Sequence, residues 1–172
     1  MVRNSVIRTV TAIIFAVIYL FCSWQVSSAV DNNFDERRAK LRTAYLFNIA
    51  KFASFPGAST INICISDHSS LHAYVLDLDK RALDNGRQLG IISNPNVSDS
   101  CHIAYIDRHT ETTWPSRQVL TIGEAETSAA DATVIQFFED ANKIRFSINL
   151  EYLDNAVYSL SSKLVRLART RK

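Results

Sequence analysis

The stretch Thr60-Ile-Asn-Ile-Cys-Ile65 decides the fold, because an isoleucine occupies every second position in it. Alternation of this kind, rich in β-branched residues, is typical of a β-strand. Similar patterns predict five more strands, at residues 88–93, 102–107, 119–122, 133–138 and 143–149. Strands mixed with helices in one short chain indicate helices packed around a central sheet.

Helices are predicted between and after these strands. Apolar residues at helical spacing favour a long amphipathic helix over residues 34–53, begun by a capping box of Asn33 and Glu36. Three further helical segments are predicted at residues 67–85, 150–156 and 161–169. We therefore expect a single α/β domain, with a mostly parallel central sheet of about six strands flanked by helices.

A secretory signal peptide is predicted at the start of the chain. Arg3 and Arg8 form a positive region, and Val10–Phe21 forms an uncharged core that is too short to span a bilayer comfortably. Ser27 and Ala29 then fit the small-x-small pattern of a cleavage site. We expect cleavage after Ala29, so residues 1–29 would be removed on export.

The mature domain, residues 30–172, is predicted to be electrically neutral. The leader carries two of the 19 basic residues and none of the 17 acidic ones, which leaves 17 of each. A neutral chain without a basic run lacks the electrostatic footprint of a nucleic-acid or anionic-membrane protein.

An uncleaved signal anchor is the alternative for the leader. A lipoprotein is disfavoured because Phe21, a large residue, precedes Cys22.

Two cysteines, Cys64 and Cys101, stay in the mature domain. An even number of cysteines in an exported chain favours a disulfide. Two buried free thiols are the alternative that the residues alone leave open. Because neither cysteine belongs to a C-x-x-C motif, a redox-active pair is disfavoured.

Few residues carry candidate chemistry. His68 and His72 have the i, i+4 spacing of a zinc site, but a solvated helical turn explains them better because no third ligand is evident. Helix capping explains Ser161-Ser-Lys163 better than a serine–lysine nucleophile does. Glu139 and Asp140 are expected to be solvated in a turn. With no nucleophile–base pair found, we predict a protein that is not an enzyme and holds no metal or cofactor.

Several segments, in order, carry a resemblance to a known family. The opening Arg42-Thr-Ala-Tyr-Leu-Phe-Asn-Ile-Ala-Lys-Phe-Ala-Ser-Phe-Pro56 is similar to K-A-A-Y-L-x-N-F-A-K-F-x-x-W-P, the pattern of the YfiR family. The family strands I-x-L-C-V, C-H-I-L-F-I and V-L-T-I-G/S, and its endings R-I-x-F-E-I-N-L and S-S-x-L-L-x-L-A, have counterparts at Ile61–Ile65, Cys101–Ile106, Val119–Gly123, Lys143–Leu150 and Ser161–Ala168. The resemblance covers residues 37 to 168.

The resemblance implies a periplasmic repressor, generally homodimeric. Such a protein binds the periplasmic sensory domain of an inner-membrane diguanylate cyclase and lowers cyclic-di-GMP, which controls biofilm formation and motility. An OmpA-like outer-membrane lipoprotein would sequester the repressor. The resemblance also implies a disulfide between Cys64 and Cys101. A periplasmic sensor domain for a small ligand is the alternative function.

The sequence departs from the family pattern at three places. Asp131-Ala-Thr133 stands where the family often has Gly-Gly before a strand, and Phe55 replaces the usual tryptophan. The second cysteine pair of some members, around residues 134–145, is missing. These departures bear on the partner contacts more than on the fold.

Two groups of side chains are candidate binding residues. The C-terminal part of the chain is more apolar than a short terminal segment needs, so an exposed remainder there would bind a partner; the candidates are Leu153, Val157, Leu160, Leu164 and Leu167. Three aromatic residues, Tyr45, Phe52 and Phe55, would line a pocket under the sensor hypothesis, and otherwise pack in the core.

Export with cleavage after Ala29 is the first testable prediction. The intact mass of the protein in a periplasmic extract is expected to equal that of residues 30–172 with one disulfide. A species that keeps the leader and sediments with membranes would contradict the prediction.

Overall fold

In a computed structural model, residues 28–83, 86–96, 100–110, 113–125 and 132–171 are described, and the predicted leader up to Ser27 lies outside them. The chain divides into two compact units, Met1–Arg37 and Arg38–Lys172. Helix α1 (Ser28–Phe52) begins in the first unit and ends in the second. All described strands belong to the second unit.

The described strands are β1 (Ala53–Ser54), β2 (Thr60–Ile65), β3 (Gln88–Ser93), β4 (Ile103–Ile106), β5 (Leu120–Glu124), β6 (Ile135–Asp140), β7 (Lys143–Asn149), β8 (Ser159–Leu160) and β9 (Arg169–Arg171). The described helices after α1 are α2 (His72–Leu76), a 3₁₀ helix (Leu150–Leu153) and α3 (Ser162–Leu167). None of the described helices is both long and apolar enough to cross a membrane.

Seven strands form one sheet in the order β3-β2-β4-β5-β6-β7-β9. The five strands from β3 to β6 pair in parallel, β7 runs antiparallel to β6, and β9 is parallel to β7. Strands β1 and β8 form a separate antiparallel pair. The predicted α/β class and mostly parallel sheet are therefore confirmed, with β9 as an edge strand that the sequence did not indicate.

The main core lies between α1 and one face of the sheet. Leu46, Ile49 and Ala50 of α1 are fully buried in the same cluster as Ile61 and Ile63 of β2. Their spacing along α1 is helical and that along β2 is two, which is why both segments bury one side. Each such large side chain contributes about 1.5–3 kcal/mol by leaving water.

A smaller cluster lies on the opposite face, and a disulfide joins its two cysteines. Cys64 of β2 and Cys101, just before β4, are bonded with 5.8 Å between their Cα atoms. Trp114 and Val119 pack in the same cluster and are also buried. The disulfide ties β2 to the entry of β4.

The predicted helix over residues 67–85 is wrong in extent, since within the described part of that range, residues 67–83, only α2 is helical. Turns occupy the first residues, where Asp67 N–H donates to the Asn94 side chain instead of following a helical pattern. Lys80 then takes a positive φ of 61°. Its N–H donates to Leu89 of β3, and Leu89 N–H donates back to Arg81. Pairing with β3 therefore replaces the last helical turns.

Two terminal predictions are also corrected. Helix α1 begins at Ser28, so Asn33 lies inside it and the predicted capping box does not start it. The segment 150–156 is helical only as the 3₁₀ helix, whose N-terminus Asn149 caps by accepting from Glu151 N–H. The turn after Asp140 is present, with positive φ at Ala141 and Asn142, as a tight hairpin requires.

Removing the disulfide is expected to destabilise the fold. The cysteines are 37 positions apart, and the chain-entropy model gives such a cross-link about 4 kcal/mol. The double variant Cys64→Ala/Cys101→Ala should therefore lose about that much free energy of unfolding in urea, and the reduced native protein should lose a similar amount. Unfolding midpoints that do not differ from that of the oxidised protein would contradict the role.

His102 is expected to make the protein less stable in acid. Burial lowers the pKa of His102 below its ordinary value of 6.5, and its Nδ1 accepts the Asn62 N–H at 3.1 Å. The unfolded chain therefore binds more protons just below pH 6.5, so stability falls as the pH drops through that window.

The variant His102→Asn keeps an acceptor oxygen but does not titrate. Its free energy of unfolding should change less than that of the wild type between roughly pH 7.5 and roughly pH 5.5. His68→Asn, at an exposed histidine, is the matched control for the substitution itself, and its free energy of unfolding at roughly pH 7.5 should equal that of the wild type. Equal pH dependence in His102→Asn and wild type would overturn the assignment.

Candidate functional site

The C-terminal segment is fastened to the domain at several points. Val157 N–H donates to the Arg117 carbonyl at 2.9 Å, and Ser161 N–H donates to the carbonyl of Phe52 at 3.0 Å. The Tyr158 hydroxyl donates to the carbonyl of Ser116, and burial raises the pKa of that tyrosine. These bonds fix the backbone that presents the apolar candidates.

The five apolar candidates divide between core and surface. Leu164 is buried, and Leu153 and Leu160 are half-buried against the main core. Val157 and Leu167 are 60% and 69% exposed, respectively. The structure thus leaves two of the five candidate side chains largely in solvent.

Cationic side chains accompany the exposed Leu167. Helix α3 begins at Ser161, whose Oγ accepts the Leu164 N–H at 3.3 Å, so the predicted capping role of Ser161 is confirmed. Lys163 lies one turn before Leu167 on the same side of α3, with its Nζ 5.3 Å from the centre of the Phe52 ring. Arg166 is exposed beside it. An apolar side chain with a charged rim is the usual composition of a protein-binding surface.

The three aromatic pocket candidates have different packing partners. Tyr45 packs with its ring centre 5.8 Å from that of Phe137, and its hydroxyl donates to the carbonyl of Ile144. Phe55 is buried beside Tyr158, and Phe52 lies half-buried under Lys163. All three belong to the main core or pack against it.

The two histidines with zinc-site spacing, His68 and His72, contact different partners. His72 lies in α2 and its Nε2 is hydrogen-bonded to Ser93 Oγ at 2.7 Å. His68 precedes the helix and lies 3.4 Å from the Asp67 carboxylate. Among the described residues, no three histidine, cysteine or acidic side chains form a group suited to a metal ion.

Sequence reasoning missed an ionic network between α1 and the sheet. Arg38 pairs with Glu139 at 2.5 Å, and Arg42 pairs with Glu124 at 3.3 Å. The buried Tyr105 hydroxyl donates to Glu124, and burial, followed by that carboxylate, raises the pKa of Tyr105. Glu139 is exposed, as expected, but it lies in β6 rather than in the turn and pairs with Arg38. The i, i+4 spacing of Arg38 and Arg42 was the available signal.

Comparison with known families gives one clear result. The YfiR/HmsC-like family matches residues 39–169, which is most of the chain. The match includes six of the seven strands of the sheet and the first residue of β9. No curated protein matches the sequence. The family groups periplasmic regulatory proteins of diguanylate cyclase signalling. On the strength of this match, the chain belongs to the YfiR/HmsC-like family.

Proposed function

We propose that the mature protein represses a membrane-bound diguanylate cyclase by binding the periplasmic sensory domain of that enzyme, and so lowers cyclic-di-GMP. The family match supports a regulatory role that does not involve catalysis. The single observation that supports a protein-binding mechanism is the exposure of Val157 and Leu167 on a segment that hydrogen bonds hold in place.

The proposed surface consists of Val157, Leu167 and the cationic rim of α3. Apolar side chains that are exposed by 60% and 69% gain free energy when a partner covers them. Because the backbone is already fixed, little conformational entropy is lost on binding. The cationic rim favours an acidic margin on the partner.

We propose two further associations, both on the basis of the resemblance to the YfiR family. The repressor acts as a homodimer, and an OmpA-like outer-membrane lipoprotein competes for it and releases the cyclase. Both follow from the resemblance of the sequence to the YfiR family, and neither requires a cofactor or a chemical step.

Deletion of the gene tests the proposal in the cell. Cyclic-di-GMP is expected to rise in the deletion strain and to return to its original level when the gene is restored on a plasmid. An unchanged level, together with failure of the purified protein to bind the periplasmic domain of any co-encoded cyclase, would overturn the proposal.

Substitution of the exposed apolar residues tests the surface. Val157→Glu and Leu167→Glu should each weaken binding to the cyclase domain by about 30-fold, the effect of losing a hot-spot residue of about 2 kcal/mol. Leu76→Glu is the matched control, because Leu76 is 45% exposed on α2 and should bind as wild type. Unchanged urea unfolding midpoints would show that all three variants fold. Wild-type affinity in both test variants would contradict the proposal that Val157 and Leu167 bind the cyclase domain.

A further inference from the structure

A crevice of about 330 Å³ opens beyond the carboxyl ends of β2, β3 and β4. Three loops line it, each of which directly follows one of these strands. Ser66–His68 follow β2, Asn94–Asn96 follow β3, and His109 and Thr110 follow β4. Trp114 and the strand residues Cys64, Ile65 and Tyr105 complete the wall.

The crevice lies where the connections of the sheet change direction. The chain passes from β2 to β3 on one side of β2, and then from β3 to β4 on the other side. The two connections therefore diverge at the carboxyl ends of β2 and β4. In open α/β sheets, ligands bind at this switch point, outside the carboxyl ends of the strands.

Hydrogen bonds within the loops preform the crevice. Asn94 N–H donates to the carbonyl of Ile65 at 3.0 Å, while the Asn94 side chain accepts the Asp67 N–H at 2.9 Å. In the opposite loop, the Asp107 carboxylate accepts the His109 N–H at 2.9 Å and the Thr110 hydroxyl at 3.1 Å. A preformed site loses little conformational entropy when it binds a ligand.

The charge of the lining indicates the class of ligand. Among the described residues of the lining, Asp67 is the one that is formally charged at neutral pH, and none of them is a lysine or arginine. A hydrogen bond from the Asn94 side chain lowers the pKa of Asp67, which keeps the carboxylate ionised. The remaining polar lining consists of amides, hydroxyls and imidazoles. This set opposes an anion and complements a cation that also carries hydrogen-bonding groups.

We propose that this crevice binds a small organic cation whose ammonium group pairs with Asp67 and whose hydroxyl or amide groups contact Asn94 and Thr110. A volume of about 330 Å³ lies at the lower end of the range for small-molecule sites. The ligand is therefore of the size of an amino sugar or a short polyamine. Neither Val157 nor Leu167 lines the crevice, so the ligand proposal can be tested independently of the repressor function.

Titration of the mature, oxidised protein with four probes tests the class of ligand. D-Glucosamine and putrescine carry ammonium groups, D-glucose matches glucosamine without the charge, and inorganic phosphate is an anion. In amide NMR spectra, at least one of the two amines should give saturable shifts at residues 66–68, 94, 96, 109 and 110. Glucose and phosphate should not. Absence of saturable shifts with both amines, or equal binding of glucose or phosphate at these residues, would overturn the proposal.

Two variants test the role of charge. Asp67→Asn should weaken amine binding by about tenfold, the value of one charge-assisted hydrogen bond. Asp77→Asn removes an exposed carboxylate outside the crevice and is the matched control. His109→Arg adds a cation to the lining, so it should weaken amine binding and strengthen phosphate binding. Amine affinity that survives both crevice variants would show that the amine binds elsewhere and contradict the proposal.

Discussion

Strand β2 pairs in parallel with a strand on each side, and the rest of the structure depends on this arrangement. Its register places Cys64 between Ile92 of β3 and Ala104 of β4. A strand in that position must bury both faces. Ile61 and Ile63 therefore enter the main core with α1, whereas Cys64 enters the smaller cluster and its disulfide. The same pairing brings the carboxyl ends of three strands together at the crevice.

The strands could be predicted because their pattern is local. Alternation in Thr60–Ile65 and Lys143–Asn149 gave strands with those same bounds in the structure. Strand β9 could not be predicted, since Arg169-Thr-Arg171 has no apolar alternation and exists as a strand through its pairing with β7. The helix predicted over residues 67–85 failed for the same physical reason. Backbone bonds to Leu89 of β3, which are distant in sequence, outweigh the local helical spacing.

The candidate surface was predictable as a segment but not residue by residue. The spacing of Leu160, Leu164 and Leu167 suggests one apolar helical stripe, yet Leu160 lies in β8, before the helix begins. The change from strand to helix turns Leu164 into the core and leaves Leu167 in solvent. The aromatic candidates raise the same difficulty. A phenylalanine that lines a pocket and one that is buried in the core, as Phe55 is beside Tyr158, look the same in the sequence. Only long-range packing distinguishes the two.

Val157 of the proposed partner surface and the crevice lie at opposite ends of the parallel strands. Val157 is bonded to Arg117, which comes just before β5, so this part of the surface is at the amino ends of the strands. The crevice is at the carboxyl ends of β2, β3 and β4. Parallel strands of five residues separate the two by about 16 Å of rigid sheet.

A ligand in the crevice therefore would not compete directly with a partner at Val157. Any effect of one on the other would have to pass through the sheet, as a coupling free energy between two distinct sites. The disulfide lies on that route, because Cys64 is in β2 and lines the crevice, while Cys101 begins the approach to β4. By tying β2 to the entry of β4, the disulfide restricts the relative movement of two strands whose carboxyl ends border the crevice.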